Sequence, residues 1–231
     1  GREACAAALR DADIRAKSVN VVYGGHVSQG MTLAERVVLG LGISRVPVIN
    51  VENACASSST GFREACLLVG AGVYDVALAF GVEKMQPGLL PLTNLMHMDL
   101  EALLGKTIPA MSALMATRYM HDYGTTDRQI AKVAVKNRRN GCLNSYAHYQ
   151  KAVTVDEVLQ SPMVSSPLTR LQCCPTSDGA AAIVVCSREQ AARVGARAVT
   201  VASCVLMSGE YIGGDPTPTV TARASRRAYE Q

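Results

Sequence analysis

Between residues 3 and 80 the sequence alternates three times between a helix-length amphipathic stretch and a short apolar run, and few architectures accept that rhythm. Glu3 to Leu9 reads as helix, Val19 to Tyr23 as strand, Thr32 to Leu41 as helix and Pro47 to Val51 as strand. A helix from Ser57 to about Val69 and a strand from Asp75 to Phe80 follow. Short apolar strands separated by helices predict a parallel, doubly wound α/β sheet, with glycines (Gly70, Gly72, Gly81) marking element ends. From about Gln86 the rhythm changes. Pro87, Gly88 and Pro91 open a Met-rich, loop-rich stretch, and two helices are expected after it, Pro109 to His121 and Thr126 to Arg139. Pro109 suits a first helical turn, and Thr126-Asp127 supplies a cap and early negative charge. Gly179 to Cys186 reads as a returning strand, followed by a helix from Arg188 to Val194 and a strand from Val199 to Leu206.

The stretch Val51 to Phe62, V-E-N-A-C-A-S-S-S-T-G-F, puts Cys55 at the turn between the strand 46–51 and the next helix. That helix carries Phe62, Ala65, Cys66 and Val69 at i, i+3, i+4 and i+7, an apolar stripe. Ala56 to Ser59 are small, so a substrate can approach the backbone closely. A helix start presents unpaired N–H groups and the positive end of the dipole. Both favour a thiolate, the nucleophilic form, and the same N–H groups can stabilise an oxyanion. The competing reading of Cys55 is a buried cysteine acting as a small hydrophobe.

A second signal is electrostatic. Arg128, Lys132, Lys136 and Arg139 recur at i, i+4, i+8 and i+11 on one helix face, with no Asp or Glu between Asp127 and Asp156. Arg138 and Lys151 add charge, and Ile130, Val133 and Ala134 are expected on the core side. The plain reading is a solvated face. The functional reading is a polyanion site, since Lys and Arg pair well with phosphates.

Composition narrows the classes. The net charge of +4 is too mild to suggest nucleic acid or a membrane surface, and no apolar run is long enough to span a bilayer. Trp is absent and Phe scarce, so the core must rest on aliphatic residues. Eight cysteines lie scattered in apolar segments with no C-x-x-C pair, which argues against a disulfide framework or a zinc site and fits a reducing compartment. Cys173-Cys174 is expected to pack before the Ser177-Asp178-Gly179 turn.

Several stretches, in order, resemble the thiolase superfamily, in particular its sterol-carrier-protein-type branch. Beside the Cys55 turn stand Gly81-Val82-Glu83-Lys84-Met85, matching the family's Gly-x-Glu-x-Met, and Ser177-Asp178-Gly179-Ala180-Ala181-Ala182 before the last strand of its N-terminal half. Tyr23 to Gly30 looks like the glycine-containing strand exit upstream. The resemblance implies a layered αβα core: an N-terminal half at 1–85, an inserted loop domain at 86–176, a return strand at 177–190, and the start of a C-terminal half at 191–231. It implies Cys55 as the nucleophile, with its own backbone N–H in an oxyanion hole. It makes Arg128, Lys132, Lys136 and Arg139 candidates for coenzyme A binding, with acyl-CoA as substrate and no permanently bound cofactor or metal. It also implies a homodimer or homotetramer, cytoplasmic or, in a eukaryote, in an organelle.

The family's catalytic histidine, second cysteine and glycine-rich loop belong to the C-terminal half, and none is recognisable before Gln231. The chain is therefore expected to be a fragment, without full condensation or thiolysis activity alone. His97 and His121 read as structural or exposed, and His26 and His148 as candidates to face a pocket. Glu52 stands where many thiolases carry Asn. A β-ketoacyl synthase, a non-catalytic acyl-CoA or lipid-binding subunit, and a carbon–carbon lyase on the same scaffold stay open as alternatives.

Overall fold

The computed structural model describes residues 1–85, 107–195, 198–209 and 219–231. They fall into two compact units, Gly1–Met85 with Asp178–Gln231, and Gln86–Ser177. The stretch from Gln86 to Pro91 and His97 lie outside the described residues.

The first unit is a three-layer α/β/α arrangement. Helix α1 (Arg2–Asp11) leads to strand β1 (Val21–Gly25), α2 (Leu33–Leu39), β2 (Val48–Val51), α3 (Ser57–Gly70) and β3 (Val76–Glu83). The chain later returns as β6 (Gly179–Cys186), α7 (Arg188–Val194) and α8 (Val220–Tyr229). The sheet order is β2-β1-β3-β6. Alternation along the central strands sends side chains to opposite faces. Val21, Tyr23, Ala77 and Ala79 pack with Ala65 and Val69 of α3. Val22, Leu78 and Phe80 pack with Cys5, Leu9, Val37 and Val38 of α1 and α2 on the other face. Each fully buried aliphatic side chain of this kind contributes about 1.5–3 kcal/mol.

The expected all-parallel sheet holds for β1, β2 and β3. Strand β6 runs antiparallel to β3, from Val76↔Cys186 to Glu83↔Gly179. It follows the long insertion, so no βαβ crossover dictates its direction. Asn50 of β2 does the work of a missing helix cap. Thr32 makes no capping bond to α2, and the Asn50 Oδ1 accepts the Ala34 N–H at 2.9 Å while its Nδ2 donates to Glu35 at 2.7 Å. The expected strand Val199 to Leu206 forms no ladder, and Val199 is 91% exposed. A lone β-rich run is not a strand until a neighbour pairs with it, and none does so among the described residues.

In the second unit, α4 (Ile108–Tyr123) starts on Thr107 with Pro109 in its first turn and ends at Gly124 in the left-handed region. Helix α5 (Asp127–Gly141) and the short α6 (Val155–Gln160) each open with a capping box, Thr126 with Gln129 and Thr154 with Glu157. A small hairpin, β4 (Met163–Ser165) and β5 (Leu168–Thr169), completes it. Thr169 is buried and donates to the Val158 carbonyl at 2.7 Å, so its hydroxyl is satisfied. On α5, Ala131 is buried, and Ile130, Ala134, Val135 and Arg138 are half-buried. Val133, expected on the core side, is 54% exposed, because the inward line is centred on Ala131.

Candidate active site

The carboxyl ends of β1, β2 and β3 are level, with Gly25 opposite Val51 on one side and Gly81 on the other. Ligands of open α/β sheets bind at this edge. The His26–Gln29 exit, the Cys55 turn and Glu83 all lie there.

Cys55 follows β2 and immediately precedes Ala56, the N-cap residue of α3. It is exposed, so the reading of it as a core hydrophobe falls away. Cys5 is buried, and Cys66, Cys186 and Cys204 are half-buried. Burial pushes Cys5 up to about 11, and burial also raises Cys66 and Cys186 above the ordinary thiol range. The α3 start carries no side-chain cap; the Ala56 and Ser57 N–H groups instead bond back to the Asn53 and Ala54 carbonyls, at 3.0 and 3.1 Å.

The turn itself is tightly bonded. Ala54 has a left-handed backbone, φ +45°, unusual for a residue with a β-carbon. Glu52 accepts the Ala54 N–H at 2.7 Å. The Ser57 hydroxyl accepts from the Asn53 N–H at 2.8 Å, and the Asn53 side chain donates to Thr60 at 2.9 Å. Behind the turn, α3 approaches the sheet closely because the facing residues are small. Its deepest line is Ser57, Gly61, Ala65 and Val69, one row over from the predicted stripe. A β-carbon on Gly61 would come within 3.0 Å of the Tyr23 β-carbon.

Glu83 closes the other side. Its carboxylate accepts from the Val27 N–H at 2.8 Å, the Ser28 hydroxyl at 2.7 Å and the Gln29 amide. Burial works to raise its pKa, and these hydrogen bonds outweigh it, holding the carboxyl below its usual range. Sequence analysis placed Glu83 only in a motif; the structure shows it holding the strand exit that carries His26. The His26 Nδ1 is buried with no partner among the described residues. Between α3 and the β3–β6 edge lies a shallow cavity of about 300 Å³, lined by Ser58, Ser59, Phe62, Phe80 and Ile183.

Within the second unit, Arg128, Lys132, Lys136 and Arg139 are all exposed on one face of α5. Arg128 pairs with Asp156 at 2.8 Å, a contact invisible to a pattern confined to one helix. On the inward face a cavity of about 440 Å³ is lined by Ile130, Arg138, His148, Tyr149 and Cys173 among others. Arg138 stacks 3.6 Å from the Tyr149 ring centre. His148 lines this pocket and is itself exposed, as is His121 beside Asp122. Burial raises the Cys173 thiol, but Cys174, expected to pack beside it, is exposed. No group of three His, Cys, Asp or Glu side chains among the described residues is placed to hold a metal, and no helix among them is long and apolar enough to cross a membrane.

The fold is that of a three-layer α/β protein with a cysteine at the carboxyl edge of its sheet. The sequence model described as "Thiolase, N-terminal domain" matches residues 1–189, and the chain belongs to the thiolase family. It is 35% identical over 240 residues to an acetyl-CoA acetyltransferase of Methanothermobacter thermautotrophicus, covering 99% of this chain and 63% of that protein. It is 39% identical over 201 residues to sterol carrier protein 2 of Gallus gallus, covering 81% and 37%. Among solved structures it resembles an Ltp2-ChsH2(DUF35) aldolase, with a TM-score of 0.70 and 26% identity over 83% of this chain and 51% of the other. The chain thus spans under two thirds of the length of these relatives.

Proposed function

We propose that this chain carries the nucleophile of a thiolase-type acyl-CoA acyltransferase. The observation behind the reading is the exposed Cys55 thiol at the uncapped start of α3, within a chain of the thiolase family. The Cys55 thiolate adds to the thioester carbonyl of an acyl-CoA. The bond from carbonyl carbon to coenzyme A sulfur breaks, coenzyme A leaves as its thiolate, and the acyl group stays activated as a Cys55 thioester. The Cys55 N–H faces the oxyanion of the intermediate. Condensation with a second acyl-CoA, or the reverse thiolysis of a 3-oxoacyl-CoA, needs a proton-transfer group at the α-carbon, which the family resemblance assigns to the C-terminal half.

In this reading residues 86–176 are the inserted coenzyme A-binding domain, between the N-terminal half at 1–85 and its return strand at 177–190, with 191–231 opening the C-terminal half. Lys132, Lys136 and Arg139 meet phosphates, and Arg128 joins them only if it leaves Asp156. Assembly is as a homodimer or homotetramer. Incubation with acetyl-CoA, followed by peptide mass spectrometry, tests the reading. One acetyl group on Cys55, absent from exposed Cys142 and Cys174, supports it; equal labelling of all three, or none, refutes it.

The likeness to an aldolase at 26% identity favours one second reading, a carbon–carbon lyase in which Cys55 is not acylated. It predicts that binding of a coenzyme A ester survives Cys55→Ala and that no acyl-enzyme forms.

A further inference from the structure

Ser57 is only 4% exposed, although it lies two residues beyond the exposed Cys55. Its hydroxyl bonds on both sides of a bend. It accepts from the Asn53 N–H at 2.8 Å and donates to the Ala54 carbonyl at 2.6 Å. Ala54, between them, has φ +45°. A residue with a β-carbon is held in that region only against a steric cost. The two hydrogen bonds of the buried Ser57 hydroxyl, one on each side of the bend, act against that cost. The backbone bond from the Ser57 N–H to the same carbonyl, 3.1 Å, adds a further hold.

The Ala54 carbonyl and the Cys55 N–H belong to one planar peptide unit and point in opposite directions. A group that fixes the carbonyl therefore aims the N–H. We propose that Ser57 is a positioning residue: by holding the Ala54 carbonyl, it points the Cys55 N–H at the place where the oxyanion forms. The inference rests on the reading of Cys55 as acyl acceptor. Ser57 touches no reacting atom and acts through the peptide plane alone.

The test exploits a difference between two reactions of one thiol. Acetylation by acetyl-CoA passes through an oxyanion; alkylation by iodoacetamide does not. Both rates are measured at Cys55 by peptide mass spectrometry for the wild type, Ser57→Thr and Ser57→Val, which have nearly equal volume and differ in the hydroxyl. Ser57→Ala gives the same comparison where a branched side chain does not fit. The expected result is a fall of roughly tenfold in acetylation for Val and Ala. Alkylation should stay within about twofold, and Thr should retain the wild-type acetylation rate. Equal acetylation in all variants overturns the proposal, and so does a parallel fall in both reactions, which marks a general disturbance of the turn. A wild type that is alkylated but never acetylated overturns the acyl-acceptor reading itself, and the proposal with it.

Discussion

Gly25 lies directly against the backbone of Ser58: a β-carbon on the glycine would stand 2.5 Å from the Ser58 amide nitrogen and 2.6 Å from its Cα. The last residue of β1 and the first turn of α3 therefore touch without any side chain between them. The obstacle is backbone, which cannot rotate away. Gly25→Ala is expected to destabilise the protein by about 1–3 kcal/mol, as overpacking does. Gly179→Ala meets nothing within 4 Å and serves as the control. Denaturant unfolding of the two variants checks the difference.

Glu83 links stability to acid. Its folded pKa lies below the ordinary 4.5, so its contribution is fully present above about 4.5 and is lost as pH falls through the lower folded value. Glu83→Gln should flatten that acid limb and cost about 1 kcal/mol at neutral pH through weaker bonds to Val27 and Ser28. Melting temperature followed from pH 7 down to pH 3 reads both effects; an unchanged acid limb would contradict the assignment.

Cysteine substitutions should separate chemistry from packing. Cys55 is exposed, so Cys55→Ala is expected to abolish acetyl transfer to the chain while moving stability by less than about 0.5 kcal/mol. Cys5 is fully buried, and Cys5→Ser places a hydroxyl among aliphatic side chains, at about 1–3 kcal/mol if it finds no partner. Thermal melts paired with acetylation assays distinguish the two classes.

The basic face of α5 makes an electrostatic prediction. Lys132→Glu with Lys136→Glu should weaken coenzyme A binding by roughly tenfold at low salt, with a smaller loss at high salt where the charges are screened. Asp156→Asn frees Arg128 from its pair and should leave affinity equal or stronger. Calorimetric titration of coenzyme A at two salt concentrations measures each; no change in the double variant would leave the face as a solvated surface.

Much of the core was legible because period-2 and period-3.6 patterns are local. The helix from Ser57, the three parallel strands and the cap at Thr126 follow from neighbours in the chain. Other features depend on partners distant in sequence. Nothing local tells that β6 runs antiparallel, or that Val199 to Leu206 pairs with no strand among the described residues. Helix α6 could have been found, since Thr154-Val155-Asp156-Glu157 has the spacing of a capping box. The Cys55 turn was visible as a helix start, yet the support beneath it was not. Gly25, Gly81 and Ser58 lie far apart in the chain, and the Ser57 hydroxyl looks like any other in a serine run.

The antiparallel pairing of β6 with β3 has a consequence for how this chain can change. Because Glu83 stands opposite Gly179, the polypeptide leaves the sheet and re-enters it at adjacent points, one strand spacing apart. The Met85 N–H bonds to the Asp178 carboxylate at 3.2 Å across that gap. Everything between the two is one insertion between neighbouring strands of the sheet. A segment hung in this way can lengthen, shrink or be exchanged while every register in the sheet stays as it is. The β3–β6 register thus sets no length for the part of the chain that carries the basic helix.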